Sequence, residues 1–343
     1  VIEFNNLCFN NGNGLWMGSG SATIQGNLVA LNGQDGIELS GINNLNSTIG
    51  GVLEDERNTI GKNGSNGIHL NGASSSTILN NYIGIRWEGA YDLGNGGHGI
   101  LIENGSYGNV IGGTNPDEGN LIAYNDEYGI KLQDSNTHDN EIYGNTFGAP
   151  INWEWEAGNG KHGIGIYDGA HHNIVGSNTP GAGNIILASG GSGVVIQNGS
   201  GNKIEGNYIG TNGAGINWGN AYYGVVVEYT EGNTGGDNII NYNEIAYNGY
   251  HNDLDNGESG VYINRSDGNM ISRNSIHDND GPGISLVNDG NNSMVAPVIM
   301  SASCKGTISG SAQADSWVQI FSDNDNEGKL WEGTTHADSS GNW

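Results

Sequence analysis

Basic residues are scarce. The 343 residues carry 10 Lys and Arg against 37 Asp and Glu, a net charge of −27. So negative a surface repels phosphate backbones and anionic headgroups, which argues against nucleic-acid and membrane partners and makes cations the natural counter-species. Cysteine is nearly absent. Cys8 and Cys304 lie near opposite ends of the chain and are expected to stay unpaired, and their rarity says little about compartment. No apolar run approaches the roughly 20 residues of a membrane span. The chain opens on Val1-Ile2-Glu3-Phe4, an expected strand with no signal peptide before it, as in a mature or trimmed chain.

What the sequence has in excess is glycine, 62 residues of it, and asparagine at nearly every turn. Both tolerate left-handed backbone, so a chain that turns often consumes them. The phrase Gly-Ile-x-Leu organises the pattern. It is clean at Gly36-Ile37-Glu38-Leu39, and its glycine returns every 30 to 36 residues from Gly36 to Gly260, then again at Gly283. Each period holds two more short apolar stretches, as in Asn202-Lys203-Ile204 and Asn207-Tyr208-Ile209. Strict apolar recurrence argues against disorder. Three strands of about three to five residues per period, too far apart for hairpins, bury their apolar sides by coiling and stacking each strand on its counterpart. The expected fold is an all-β, right-handed parallel β-helix of about ten three-stranded coils over residues 1–292. Ile37, Ile68, Ile100, Ile130, Ile164, Val194, Val225, Val261 and Ile284 are expected to form one buried column. The Asn opening the third strand of each period, among them Asn58, Asn81, Asn120, Asn145, Asn184, Asn207 and Asn274, is expected to stack as an amide ladder.

Coils alternate in style. Every second one inserts a longer loop before the next Gly-Ile, and these loops carry Trp87, then Trp153 and Trp155, then Trp218. Shorter acidic insertions at the same corner, such as Asp35, Asp126-Glu127 and His277-Asp278-Asn279-Asp280, complete a wall that is aromatic and acidic. After Asn291 the pattern ends. Residues 293–343 alternate like strands of an antiparallel sheet and are expected to be a partial β-sandwich segment that caps the last coil or pairs with a further element.

The phrases Val110-Ile111-Gly112-Gly113-Thr114, Gly119-Asn120-Leu121-Ile122 and Gly206-Asn207-Tyr208-Ile209-Gly210-Thr211 resemble the right-handed parallel β-helix repeats of secreted and surface proteins in the pectate-lyase-like superfamily. The C-terminal segment resembles a truncated bacterial immunoglobulin-like module. The first resemblance implies the fold. For function it implies a range from lyases, hydrolases and epimerases to tailspikes and non-catalytic adhesins. Pectate lyases use Arg or Lys as the base, but here Arg57, Arg86, Arg265 and Arg273 stand in no catalytic phrase. Gly97-His98-Gly99 resembles a polygalacturonase phrase but lacks that family's paired aspartates.

Two candidate sites follow from residue chemistry. Indoles stack on the apolar faces of sugar rings while neighbouring carboxylates accept hydroxyls, so Trp87, Glu88, Trp153, Glu154, Trp155, Glu156 and Trp218 are candidates for glycan contact. Local loop packing is the alternative for the indoles. The cluster Asp253, Asp255 and Glu258, beside His251, offers hard oxygen ligands for calcium. With Asp278 and Asp280 one coil on, Asp253 and Asp255 also supply the paired carboxylates a glycosidase would need. A solvated acidic loop is the third reading. Asp323-Asn324-Asp325 begins like a calcium loop but lacks the closing glutamate, so a polar turn is expected there. Three functions follow: a secreted or surface β-helix with a structural, adhesive or glycan-contacting role, a polysaccharide lyase or glycoside hydrolase, and a fibre or sheath subunit that oligomerises by stacking coils.

Overall fold

The computed structural model describes residues 1–86, 92–230, 236–249, 257–303, 306–323 and 327–343. Thirty short strands wind through three parallel sheets of ten strands each. The first sheet runs from Ile2–Glu3 to Met270–Ser272, the second from Asn6–Cys8 to Ser275–His277, and the third from Leu15–Met17 to Ile284–Val287. Each coil contributes one strand to each sheet, so the architecture is the expected parallel β-helix. Cys8 is a free cysteine, and Cys304 lies outside the described residues.

The register matches the sequence pattern residue by residue. Ile37 pairs with Ile68, Ile68 with Ile100, and so on through Ile130, Ile164, Val194, Val225 and Val261 to Ile284. All of this column is fully buried up to Val261, and Ile284, in the last coil, is 45% exposed. Equivalent columns from the other two sheets complete one continuous apolar core. Burial of each such side chain contributes about 1.5–3 kcal/mol.

Glycine in the repeat phrase answers to crowding. A Cβ at Gly99 would stand 2.6 Å from the Gly129 carbonyl oxygen and 2.7 Å from Ile122 Cγ2. Left-handed turns also fall on residues with full side chains: Leu31, Lys62, Tyr124, Ala188 and Tyr247 occupy the corner between second and third strands at φ between 51° and 62°. Each non-glycine residue there costs about 1–2 kcal/mol.

That strain is offset by the residue that follows. Asn32, Asn63, Asn95, Asn125 and Asn159 form a ladder in which each Asn donates both its backbone N–H and its side-chain amide to the Oδ1 of the next. Ser189 interrupts it, and it resumes through Asn220, Asn248 and Asn279. The expected ladder at the corner between first and second strands runs from Asn27 through Asn58, Asn81, Asn120, Asn145, Asn184, Asn207 and Asn243 to Asn274. A third, Asn109 to Asn291, holds the remaining corner. All three corners are therefore laddered.

Beyond the coils, Val298–Ala302 pairs antiparallel with Ile308–Ser311, and Trp317–Ser322 with Leu330–His336. The second pair docks on the last coil, where the Glu327 carboxylate accepts both donors of Asn279, extending the amide ladder by one carboxylate. Asp323 Oδ2 accepts the backbone N–H groups of Gly328 and Lys329, a polar turn between the two strands.

The ladder yields a test. Asn145→Ala removes the acceptor for both donors of Asn120 and the donor to Ile111, Tyr143 and Asn184. With about 1–3 kcal/mol for each buried group left unpaired, the variant should lose at least about 3 kcal/mol in denaturant unfolding. The exposed Asn136→Ala should change stability by no more than about 0.5 kcal/mol.

Candidate functional site

Side chains alternate along a strand, so the second and fourth residues of Ile-x-Leu-x point outward from the third sheet. One outward column reads Glu38, His69, Leu101, Lys131, Gly165, Val195, Val226, Tyr262. A second column includes Asn71, Glu103, Gln133, Tyr167, Gln197 and Glu228. A third flanking set comes from the residue before each repeat glycine: Asp35, Asn66, His98, Tyr128, His162, Ser192 and Tyr223. Together they make a face whose two halves differ in charge.

The N-terminal half is an acidic frame around an imidazole. His69 Nδ1 lies 3.1 Å from Asp35 Oδ2 and its Nε2 3.0 Å from Glu103 Oε1, tying three successive coils together. Burial alone would push His69 down, but its hydrogen bond to Asp35 and the charges of Asp35, Glu103 and Glu38 outweigh burial and hold it above its ordinary value. Burial likewise would push Asp35 up, yet hydrogen bonds from His69 and the Asn66 backbone, with the His69 charge, bring it below the usual carboxylate range. Asp35, Glu38 and His69 place ligand atoms within 4.8 Å of one another, a donor set suited to a divalent ion. The set is already satisfied internally. Both ring nitrogens of His69 face carboxylates, and Glu38 accepts from Asn13 and Asn71.

The middle of the face is aromatic and cationic. Tyr128 sits between His98 and His162, with ring centroids at 5.1 and 5.3 Å, and meets Tyr167 edge-on at 5.6 Å. Gly165 makes the room, since a Cβ there would stand 2.5 Å from the Tyr167 ring and 3.0 Å from that of Tyr128. Lys131 Nζ lies 5.6 Å from the Tyr128 centroid and 5.3 Å from that of Tyr167, within cation–π range. Lys161 lies over Tyr128 too, but is paired with Glu127 at 2.5 Å. Among the described residues Lys62, Lys161, Lys203 and Lys329 each have a carboxylate partner, and Lys131 has none.

The two histidines here are neutral donors. The Tyr128 backbone N–H donates to His98 Nδ1 at 3.3 Å, and that of Ser192 to His162 Nδ1 at 2.8 Å, so in each ring Nδ1 carries the lone pair and Nε2 the proton. Burial pushes both imidazoles down to about 4, the Lys131 charge adding to the shift at His98. Burial pushes the Tyr167 phenol well above its ordinary range, and it stays protonated.

The residues singled out from sequence fall elsewhere. Trp155 folds back over the outer side of the second sheet, packing on Tyr82, Ile85, Leu121, Ala123 and Ala157 and donating from its indole to the Tyr124 hydroxyl at 2.8 Å. Trp153 and Trp218 are half-buried, and Glu154 and Glu156 are exposed. Trp87 and Glu88 lie outside the described residues, as do His251, Asp253 and Asp255. Glu258 is buried, its Oε2 without a hydrogen-bond partner among the described residues. Asp278 is bound to His277 at 2.7 Å and to Lys329 at 3.5 Å, contacts that keep its carboxyl low, while Asp280 is exposed. The Tyr128 cluster escaped sequence reading because its members come from three coils. The signal was the residue before each repeat glycine, taken as a column.

A solenoid with a continuous laddered core and a variable outward face defines the right-handed parallel β-helix class. The family described as right handed beta helix region matches residues 1–180, and the chain belongs to that family. Among solved structures it is similar to the A-module of the Azotobacter vinelandii mannuronan C-5 epimerase AlgE4, at 16% identity and a TM-score of 0.50, over 75% of this chain and 62% of that one. It is also similar to a variant of the periplasmic alginate epimerase AlgG, at 17% identity and a TM-score of 0.51, over 74% of this chain and 50% of that one. The chain thus spans about half to three-fifths of the length of these structures, and at such identity the likeness is one of fold. No protein of curated function matches the chain.

The His69 frame has a pH signature. A histidine held above its unfolded value stabilises the fold fully below about pH 6.5 and ceases to as pH rises through the folded value; a carboxylate held low stabilises above about pH 3.8 and ceases to as pH falls. His69→Gln should therefore cost most at pH 5 to 6, about 1.5–3 kcal/mol for the charged hydrogen bonds, and less at pH 9. Melting curves of both proteins across that range test this, and an equal difference at all pH values would contradict it.

Proposed function

We propose that this chain is a non-catalytic, glycan-contacting β-helix acting outside the cytoplasm, and that the middle of its third sheet takes an acidic polysaccharide. The observation that carries the reading is Lys131, an ammonium held over two tyrosine rings and without a carboxylate partner among the described residues, in a chain of net charge −27. A uronate carboxylate supplies the counter-charge that Lys131 lacks, the rings of Tyr128 and Tyr167 offer apolar faces to the sugar, and the Nε2–H groups of His98 and His162 donate to its hydroxyls. Trp153 and Trp218, half-buried on the long loops of the preceding corner, are the indoles left to extend the proposed glycan track, at intervals of about two coils or roughly 9.6 Å. Trp155 packs on its own scaffold, and Trp87 lies outside the described residues.

The protonation states of this cluster support binding rather than turnover. A general base needs a free lone pair near operating pH. Both imidazoles have committed theirs to backbone N–H groups, and the buried Tyr167 phenol holds its proton. Support from the solved relatives is limited to their names, which describe enzymes acting on mannuronan or alginate, one of them periplasmic.

Affinity electrophoresis in gels containing alginate or a neutral β-glucan tests the proposal. Alginate should retard the wild type and the neutral glucan should not. Lys131→Ala should weaken retardation by about tenfold, the equivalent of some 1.4 kcal/mol for one lost charged contact, and added salt should weaken it further. No retardation by alginate, or equal retardation of Lys131→Ala, would contradict the site. New unsaturated ends or a changed uronate composition after incubation would make the protein an enzyme.

Calcium at Asp253, Asp255 and Glu258 belongs to the same proposal. A bound ion stabilises the native state by mass action, so chelator should lower the melting temperature and calcium should restore it. Identical curves would remove the ion.

A further inference from the structure

Outside the third sheet, at the corner leading to the first, the coils stack three aromatic rings in register. Tyr107 is bridged to His138, and His138 to His171, one coil apart each time. Tyr107 and His138 lie parallel, with centroids at 5.3 Å and an interplanar angle of 9°. His138 and His171 follow at 5.2 Å and open to 31°, and His172 meets His171 edge-on at 5.0 Å.

The hydrogen bonds of these rings fix where their lone pairs lie. His138 Nδ1 is 2.8 Å from the Asp139 carboxylate. His171 Nδ1 is 3.3 Å from the Gly169 carbonyl oxygen, which can only accept. Both Nδ1 atoms are therefore donors, and in the neutral rings both lone pairs sit on Nε2. Neither Nε2 has a hydrogen-bond partner among the described residues. This differs from His98 and His162, whose Nδ1 lone pairs are spent on the backbone.

From this geometry we infer a divalent transition-metal site in which His138 and His171 coordinate one ion through Nε2. An oxygen that accepts from the opposite ring nitrogen orients a metal-bound imidazole and raises its basicity, and here the Asp139 carboxylate and the Gly169 carbonyl are placed to do so. Imidazole ligands select copper, nickel or zinc over calcium and magnesium. Two nitrogens on one ion lie no more than about 4 Å apart at bond lengths of about 2.0–2.1 Å. With ring centroids 5.2 Å apart and 31° between the planes, binding requires the two Nε2 atoms to come within about 4 Å of each other. Water completes the coordination. Such an ion would clamp two successive coils at a corner.

The site is tested with the untagged chain, using Cu2+ and Zn2+ as probes in excess Ca2+ and Mg2+ so that surface carboxylates are occupied. Equilibrium dialysis should show one tightly held ion per chain, lost in His138→Gln and in His171→Gln, with Asp139→Ala weakening it about 10- to 100-fold while leaving the stoichiometry. Copper should raise the melting temperature of the wild type and not of either histidine variant. The wild-type copper resonance spectrum should show coupling to two imidazole nitrogens, a readout that does not depend on any variant folding. Retention of the ion by both variants, a spectrum with oxygen ligands alone, or wild-type binding no tighter than that of a chain carrying both His138→Gln and His171→Gln would overturn the site.

Discussion

Every level of this molecule depends on one interaction, the double hydrogen bond from an asparagine to the asparagine above it. At a corner the chain leaves its sheet and its peptide groups lose their partners, a cost of about 1–3 kcal/mol for each one buried and unmade. Asn145 shows the remedy: its Oδ1 accepts both donors of Asn120, while its own N–H and amide pass on to Asn184. The ladder fixes the spacing between coils and the angle of each corner. Strands held at both ends cannot slip, so the inward isoleucines and the outward functional residues come into register together.

The fold was legible because its signal has a period. Gly-Ile-x-Leu places an apolar residue at the same point of every coil, and the pairing of Ile37 through to Ile284 follows without exception. One amide ladder was legible for the same reason, since Asn58, Asn81 and Asn120 each open an apolar strand. Asn63, Asn95 and Asn125 stand in polar surroundings and read locally as turn residues, so their ladder is apparent only in three dimensions. Glycine was assigned to left-handed turns, and Gly84, Gly112 and Gly210 take that conformation, but Gly99 serves close approach of the next coil, and Leu31 and Tyr124 are left-handed without being glycine. Here the ladder overrides local propensity.

The outward face has no period to read. The variable place in Gly-Ile-x-Leu is Glu38, His69, Leu101, Lys131 and Gly165 in turn, and along the chain that series carries no pattern. Stacked about 4.8 Å apart, it separates into an acidic end around His69 and a cationic, aromatic middle around Lys131. Gly165 illustrates the difficulty. In sequence it is one more glycine among 62, whereas in the fold it is the gap into which the rings of Tyr128 and Tyr167 fit. Tryptophan drew attention first because it is conspicuous, yet Trp155 has an internal partner in Tyr124. Lys131 is inconspicuous and has no carboxylate partner among the described residues.

The same economy governs histidine. In a solenoid an imidazole can serve as one more rung, as His98 and His162 do by accepting the backbone N–H of the coil above, and a lone pair used in this way is withdrawn from chemistry. His69 makes the opposite commitment, both nitrogens turned to carboxylates that favour its charged form. Among the described residues His138 and His171 engage only their Nδ1 protons, which leaves their Nε2 lone pairs without a partner there. Three fates of one side chain follow from which nitrogen the neighbouring coil engages. Rings that complete the scaffold are poor candidates for bases, and a ligand or metal is best sought where the scaffold has left a charge or a lone pair unused.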